Sequence, residues 1–89
     1  MKAIVTVVGK DRVGIIHDVT KILSNNSVNV LDISQTILDG YFTMMMITDF
    51  SDSSKNISDV KYSLDELASK STLEIIIQHE DIFNAMHRI

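Results

Sequence analysis

The feature that most constrains the fold of this chain is the order in which its hydrophobic pattern switches between strand and helix periods. Runs of β-branched and apolar residues, typical of strands, alternate with two stretches in which apolar residues recur every three or four positions. The predicted strands are residues 2–8, 28–38, 41–50 and 73–78, and the helical stripes are Ile15, Ile16, Val19, Ile22 and Leu23, then Ile57, Val60, Leu64, Leu67 and Ala68. The resulting element order is β-α-β-β-α-β.

Two local signals indicate how these elements connect. Asp39-Gly40, between the second and third strands, is typical of a two-residue type I′ turn, so these strands should be antiparallel neighbours. Asn56, with Asp59 three residues later, marks the start of the second helix. Right-handed crossovers then place both helices on one face of an antiparallel sheet of order 4-1-3-2. The sequence therefore predicts an α+β fold, the ferredoxin-like βαββαβ sandwich.

Residues 79–89 follow the last strand and predict a short C-terminal helix. Acidic residues stand at its start and basic residues at its end, which matches the helix dipole. Its apolar side comprises Ile82, Phe83, Met86 and Ile89. We therefore divide the chain into a domain over 1–78 and a helical extension over 79–89.

Composition excludes several classes of function. A chain of 89 residues has room for one domain. Eight Lys and Arg against twelve Asp and Glu give a net charge of −4, which argues against direct nucleic-acid binding. The absence of cysteine excludes disulfides and thiolate metal sites and fits a reducing cytoplasm. No apolar run is long enough for a signal peptide or a membrane span, so no membrane association is expected.

The second strand, residues 28–38, should lie at an edge of the sheet. It contains no Lys and no Pro, the residues that commonly keep an edge strand from pairing with another molecule. Three adjacent methionines in the third strand, 44–46, and the apolar side of the C-terminal helix could add contact surface or simply fill the core. The open edge predicts a homodimer through strand 28–38.

The connection between the first strand and the first helix contains two of the three glycines. A phosphate loop is excluded because Ile15 and Ile16 follow Gly14, where a lysine and a hydroxyl would be required. One interpretation is structural: Gly9 ends the strand, and Gly14 lets the helix pack closely on the sheet. The other is functional: Gly14 lets a carboxylate approach free N–H groups at the helix N-terminus, while Asp11 holds an ammonium group.

Two short motifs in this region resemble those of a known family. Asp-Arg-Val-Gly-Ile-Ile at 11–16 and Val-Asn-Val at 28–30 are similar to segments of the ACT domain, a small-molecule-sensing module of amino-acid metabolism. The resemblance extends in element order over residues 3–78, and within the family it is nearest to stand-alone ACT proteins and the glycine cleavage system transcriptional repressor. It implies a non-catalytic regulatory protein that binds an amino acid and signals to a partner protein. It also implies the ligand-binding residues Asp11, Arg12, Val13, Gly14, Ile15, Asn29 and Val30.

Simple geometry predicts that such a site is shared between two chains. The first helix spans about 13 residues at ~1.5 Å each, so Gly14 and Asn29 lie roughly 20 Å apart in one subunit. A two-fold axis that pairs strand 28–38 with its copy would bring the glycine loop of one chain toward Asn29 of the other.

Other functions have weaker support in the sequence. No Ser/His/Asp arrangement is visible by spacing, so we expect no catalysis and no cofactor. His79, Glu80, Asp81 and His87 could hold a surface metal, but an ordinary solvated helix terminus explains them; His17 could line the ligand pocket or be simply exposed. The alternatives left open are an acylphosphatase-like hydrolase that uses Arg12, and a protein-interaction module without a ligand.

Overall fold

The computed structural model describes residues 1–10, 13–53 and 55–86. The elements are β1 (Lys2–Lys10), α1 (Ile15–Asn25), β2 (Asn29–Leu38), β3 (Tyr41–Asp49), α2 (Ile57–Ser71), β4 (Glu74–His79) and α3 (Glu80–Met86). The four strands form one antiparallel sheet in the order β2-β3-β1-β4. This is the predicted order read from the other edge, so the ferredoxin-like fold is confirmed.

Side-chain alternation along the two central strands separates the faces of the sheet. Ala3, Val5 and Val7 of β1 are fully buried and pack in the same cluster as the apolar stripes of α1 and α2. In β3, Met44 and Met46 are fully buried, whereas Met45 between them is 37% exposed. The helices therefore cover one face, and two of the three adjacent methionines fill the core.

The turn between β2 and β3 has the backbone that its sequence requires. Asp39 has a φ of 52° and Gly40 a φ of 80°. Positive φ at both central residues is the mark of the type I′ turn, which glycine adopts at little cost and aspartate tolerates. The hairpin prediction is confirmed, and it sets the register in which Leu38 pairs with Tyr41.

Element boundaries differ from the predictions at two glycines. Gly9 does not end β1, because the strand continues to Lys10 and Gly9 pairs with Phe42. A Cβ at Gly9 would lie 2.6 Å from Leu73 Cδ2, so glycine here allows close packing inside the sheet. Gly14 precedes α1 in a left-handed conformation with a φ of 90°, and the helix begins at Ile15. The helix therefore begins at the first residue of the predicted apolar stripe, and its 11 residues are slightly fewer than the roughly 13 expected.

The predicted ends of α2, β4 and α3 agree more closely with the structure. Asn56 caps α2 by accepting a hydrogen bond from the Asp59 N–H at 3.0 Å. His79 is the last residue of β4 rather than the first of α3, which runs over Glu80–Met86. His87, Arg88 and Ile89, predicted to continue this helix, lie outside the described residues.

α3 packs on its own subunit. It contacts β1 and β4, and Phe83 lies beside Ile4 on the face of the sheet that α1 and α2 leave uncovered. Ile4 is only 7% exposed although it points away from the main core. The C-terminal helix therefore covers part of the helix-free face.

β2 forms one edge of the sheet and is exposed along almost its whole length. A β-bulge interrupts its pairing with β3 between Val30 and Asp32. Val30 is half-buried against the core, whereas the apolar side chains of Leu31, Ile33, Ile37 and Leu38 are exposed.

The contrast among the methionines predicts their contributions to stability. Met44→Ala should lower the free energy of unfolding by about 2–5 kcal/mol, because it leaves a cavity in a closed core. Met45→Ala, the matched control, should cost about 1 kcal/mol or less because its side chain is partly solvated already. Urea unfolding of both variants measures the difference, and equal losses would contradict the assignment of faces.

Candidate functional site

The backbone around Gly14 shapes the start of α1. The carbonyl of Gly14 accepts the Asp18 N–H at 2.9 Å, and no side chain caps the helix N-terminus. The N–H groups of a first helical turn have no partner within the helix, and together with the dipole they favour an anion. Val13 is almost fully exposed beside them. Asp11 and Arg12, the other predicted loop residues, lie outside the described residues.

An open groove of about 350 Å³ lies next to this turn, between α1 and β2. We call it the helix-start groove. Gly14 and Ile15, both predicted site residues, line it with Ile16, His17, Gln35, Ile37 and Phe42. His17 is exposed and lines the groove, and its role toward a ligand stays a prediction. Gln35 and Ile37 were not singled out in the sequence, although their position on the edge strand could have indicated them.

A second open groove, of about 680 Å³, lies at the other end of β2, and we call it the strand-start groove. Asn29 and Val30 line it, as do Thr20, Ser24, Ser27, Val28 and Asp52. The hydroxyls of Thr20, Ser24 and Ser27 and the carboxylate of Asp52 were not predicted from the sequence. Thr20 and Ser24 are four residues apart on α1, a spacing that could have indicated a shared polar face.

The two halves of the predicted site are therefore separate in one chain. Gly14 lies in one groove and Asn29 in the other. Eight residue steps along β2 join Asn29 to Ile37, which is on the order of 27 Å at ~3.4 Å per residue. A single small ligand cannot contact both ends within one subunit, as the length of α1 indicated.

Asp49 adds charge beside Asn29, with which it pairs across β2 and β3. Its carboxylate accepts hydrogen bonds from the Ser51 hydroxyl at 2.6 Å and from the Ser51 N–H at 2.9 Å. The N-terminal ammonium of Met1 lies 3.9 Å away. The Ser51 hydroxyl, then the Ser51 N–H, then the positive charges of Met1 and Lys2 hold the pKa of Asp49 below its usual value.

Metal chemistry has no support in the part of the chain that the structure describes. No three His, Asp or Glu side chains converge there in a way that could hold an ion. His79 instead accepts the Asp81 N–H through Nδ1 at 3.0 Å, at the start of α3. His87, the other histidine considered for a metal, is not among the described residues. No helix over 1–10, 13–53 and 55–86 has the length and apolar character of a membrane span.

The fold and its site define the class of protein. It is a small ferredoxin-like α+β domain with an open sheet edge and a groove at each end of the edge strand. The model of the ACT domain family matches residues 2–78. The chain belongs to the ACT domain family.

Individual relatives agree with this assignment. The UPF0237 protein of Clostridium perfringens is 62% identical over 89 residues, and the match covers all of both chains. The structure of an ACT domain protein from Streptococcus pneumoniae superposes with a TM-score of 0.80 at 40% identity, covering 98% of each chain. A structure named as that of a glycine cleavage system transcriptional repressor superposes with a TM-score of 0.74 at 27% identity, covering 86% of this chain and 44% of that one. The predicted resemblance to ACT domains is confirmed.

Ser51→Ala should raise the pKa of Asp49 toward its usual value, because the hydroxyl is the largest contributor to the shift. A carboxyl whose pKa is lowered by folding stabilises the folded state above its unfolded pKa, and this contribution is lost as pH falls through the folded value. The variant should therefore lose less stability on acidification. Carboxyl-carbon NMR titration of Asp49 provides the measurement, and an unchanged pKa would contradict the role of Ser51.

Proposed function

We propose that this protein is a non-catalytic regulatory module that binds an amino acid between two copies of the chain and signals to a partner protein. The observation that carries the proposal is the position of the two grooves at opposite ends of an edge strand that is unpaired on one side and exposes several apolar side chains. The ACT family assignment and the similarity to the named repressor support a regulatory role. The cytoplasmic location expected from the lack of cysteine stays a prediction.

The edge strand supports the dimer. β2 presents unpaired backbone groups along one side, and Ile33 and Ile37 are 43% and 58% exposed there. Ile16 of α1 is also exposed and lines the groove beside the strand. Pairing β2 with its copy would satisfy the backbone groups and cover these side chains, which is how open edges are commonly protected.

The register of such a pairing explains why two chains would complete one site. β2 has ten residues, and a two-fold axis at Ile33, near its centre, would place the start of one strand beside the end of the second copy's strand. The strand-start groove of one chain would then adjoin the helix-start groove of the other. Each dimer would have two such combined sites.

The polar groups of the combined site suit an amino acid. The free N–H groups after Gly14 favour a carboxylate. Asn29 and Asp52, which line the strand-start groove of the other chain, offer an amide and a carboxylate for an ammonium group. The apolar side chains of Ile15, Ile16 and Phe42 would contact the remainder of the ligand.

Experiments can distinguish two other functions from the proposed one. A dimer that binds no small molecule would be a protein-interaction module. Hydrolysis of an acyl phosphate by the purified protein, lost in Arg12→Ala, would instead indicate an acylphosphatase-like enzyme.

We expect Ile33→Lys to weaken dimerisation by at least about tenfold, because it places a charge in the centre of the proposed interface. Ile76→Lys is the matched control: Ile76 is 51% exposed on β4, at the other edge of the sheet. Sedimentation equilibrium of both variants measures the association constant. A monomeric parent protein, or an equal effect of the two substitutions, would overturn the proposed interface.

We expect the parent protein to melt at a higher temperature in the presence of one or a few of the common amino acids, since binding to the folded state stabilises it. Gly14→Asn should abolish this shift while the dimer persists, because Gly14 lines the helix-start groove and a larger residue there should compete with the ligand for space. Asparagine tolerates the left-handed backbone of this position, whereas Gly14→Val would add strain of about 1–2 kcal/mol. A full shift retained in Gly14→Asn would show that the ligand does not approach this loop.

A further inference from the structure

A third cavity lies on the opposite face of the sheet from α1 and α2, beneath α3. Its volume is about 210 Å³, and we call it the α3 cavity. Its walls are Ile4, Ile33, Met45, Ile47 and Phe83, with Asp32 and Ser34 as the polar lining residues. The cavity is distinct from the two grooves of the proposed amino-acid site, with which it shares no lining residue.

The β2–β3 hairpin determines that a carboxylate reaches this cavity. Its turn pairs Leu38 with Tyr41, and the same register continues to Asp32, which pairs with Ile47. Residues that pair across antiparallel strands share a face, so Asp32 lies on the helix-free face beside Ile47. The register shifts only on the N-terminal side of Asp32, where Leu31 is the extra residue of a β-bulge.

One carboxylate oxygen of Asp32 has a local role. Asp32 Oδ1 accepts the Ile33 N–H at 2.9 Å and so supports the irregular backbone at the bulge. No described cation lies within ion-pair distance of this side chain. Asp32 is the charged residue among those that line the cavity. Its carboxylate favours a cation.

The size of the cavity sets the kind of ligand. An apolar cavity of about 150 Å³ lined by aliphatic and aromatic side chains holds one benzene molecule. The α3 cavity has room for a single ring and a short tail. Phe83 and Met45 can contact a ring through aromatic and sulfur–aromatic interactions.

We propose that the α3 cavity binds a small aromatic amine, with the ring between Phe83 and the sheet and the ammonium group at Asp32. Amino-acid zwitterions are poorer ligands here because their carboxylate approaches that of Asp32. This site is independent of the proposed amino-acid site.

The test is an amide NMR titration of the full chain with 2-phenylethylamine. We expect saturable shifts at Ile4, Met45, Ile47 and Phe83, with the amides of 14–17 unaffected. Asp32→Asn should weaken binding about tenfold, because it removes the charge but keeps the oxygen that accepts the Ile33 N–H. 2-Phenylethanol, which has the same ring and a neutral end, should bind the parent protein as weakly as the amine binds the variant.

Asp39→Asn is the matched control for net charge. Asp39 is an exposed turn residue, and an Asn-Gly pair suits its type I′ turn. The affinity of the Asp39→Asn variant for the amine should equal that of the parent protein. The proposal is overturned if no saturable shifts occur at the cavity, if they occur at 14–17 instead, or if the alcohol binds as well as the amine. None of these results depends on whether an amino acid binds between the two chains.

Discussion

The placement of β1 in the middle of the sheet is the constraint on which the rest of the structure depends. β1 pairs with both β3 and β4, and the crossovers from β1 to β2 through α1 and from β3 to β4 through α2 leave β2 and β4 at the edges. β2 is the longer of the two edge strands, with ten residues against six. The same crossovers cover one face with α1 and α2, so the surfaces available for binding are the β2 edge and the helix-free face.

The alternation of side chains along each strand then decides which residues lie on the core face and which on the helix-free face. In β3, Met44 and Met46 stabilise the core, whereas Met45 lines the α3 cavity on the other face. In β2, the hairpin register pairs Asp32 with Ile47 and so places its carboxylate on the helix-free face, whereas Ile33 pairs with the buried Met46. The negative charge therefore lies outside the core, where its burial would be costly.

Particular residues show how far sequence reasoning extends. The type I′ turn at Asp39-Gly40 and the cap at Asn56 were predicted correctly because each depends on side chains a few residues apart. Gly9 was assigned wrongly as the end of β1, because its role depends on Leu73, which is distant in the chain. The polar lining of the strand-start groove by Thr20 and Asp52 was missed for the same reason. Gly14 was identified as important, but its left-handed backbone is visible only in the structure.

The sequence by itself determined the element order, the hairpin and the identity of the edge strand. These follow from patterns within one element or between neighbouring elements, where turn chemistry and hydrophobic period act directly. Membership of the ACT family follows instead from similarity to other sequences. The tertiary structure alone decided the strand bulge, the packing of α3 over Ile4, and which residues of α1 and β2 line the two grooves. Each of these depends on contacts between segments far apart in the chain. Burial of apolar surface in those contacts offsets the entropy cost of ordering the backbone, and a local sequence pattern does not show which segments will meet.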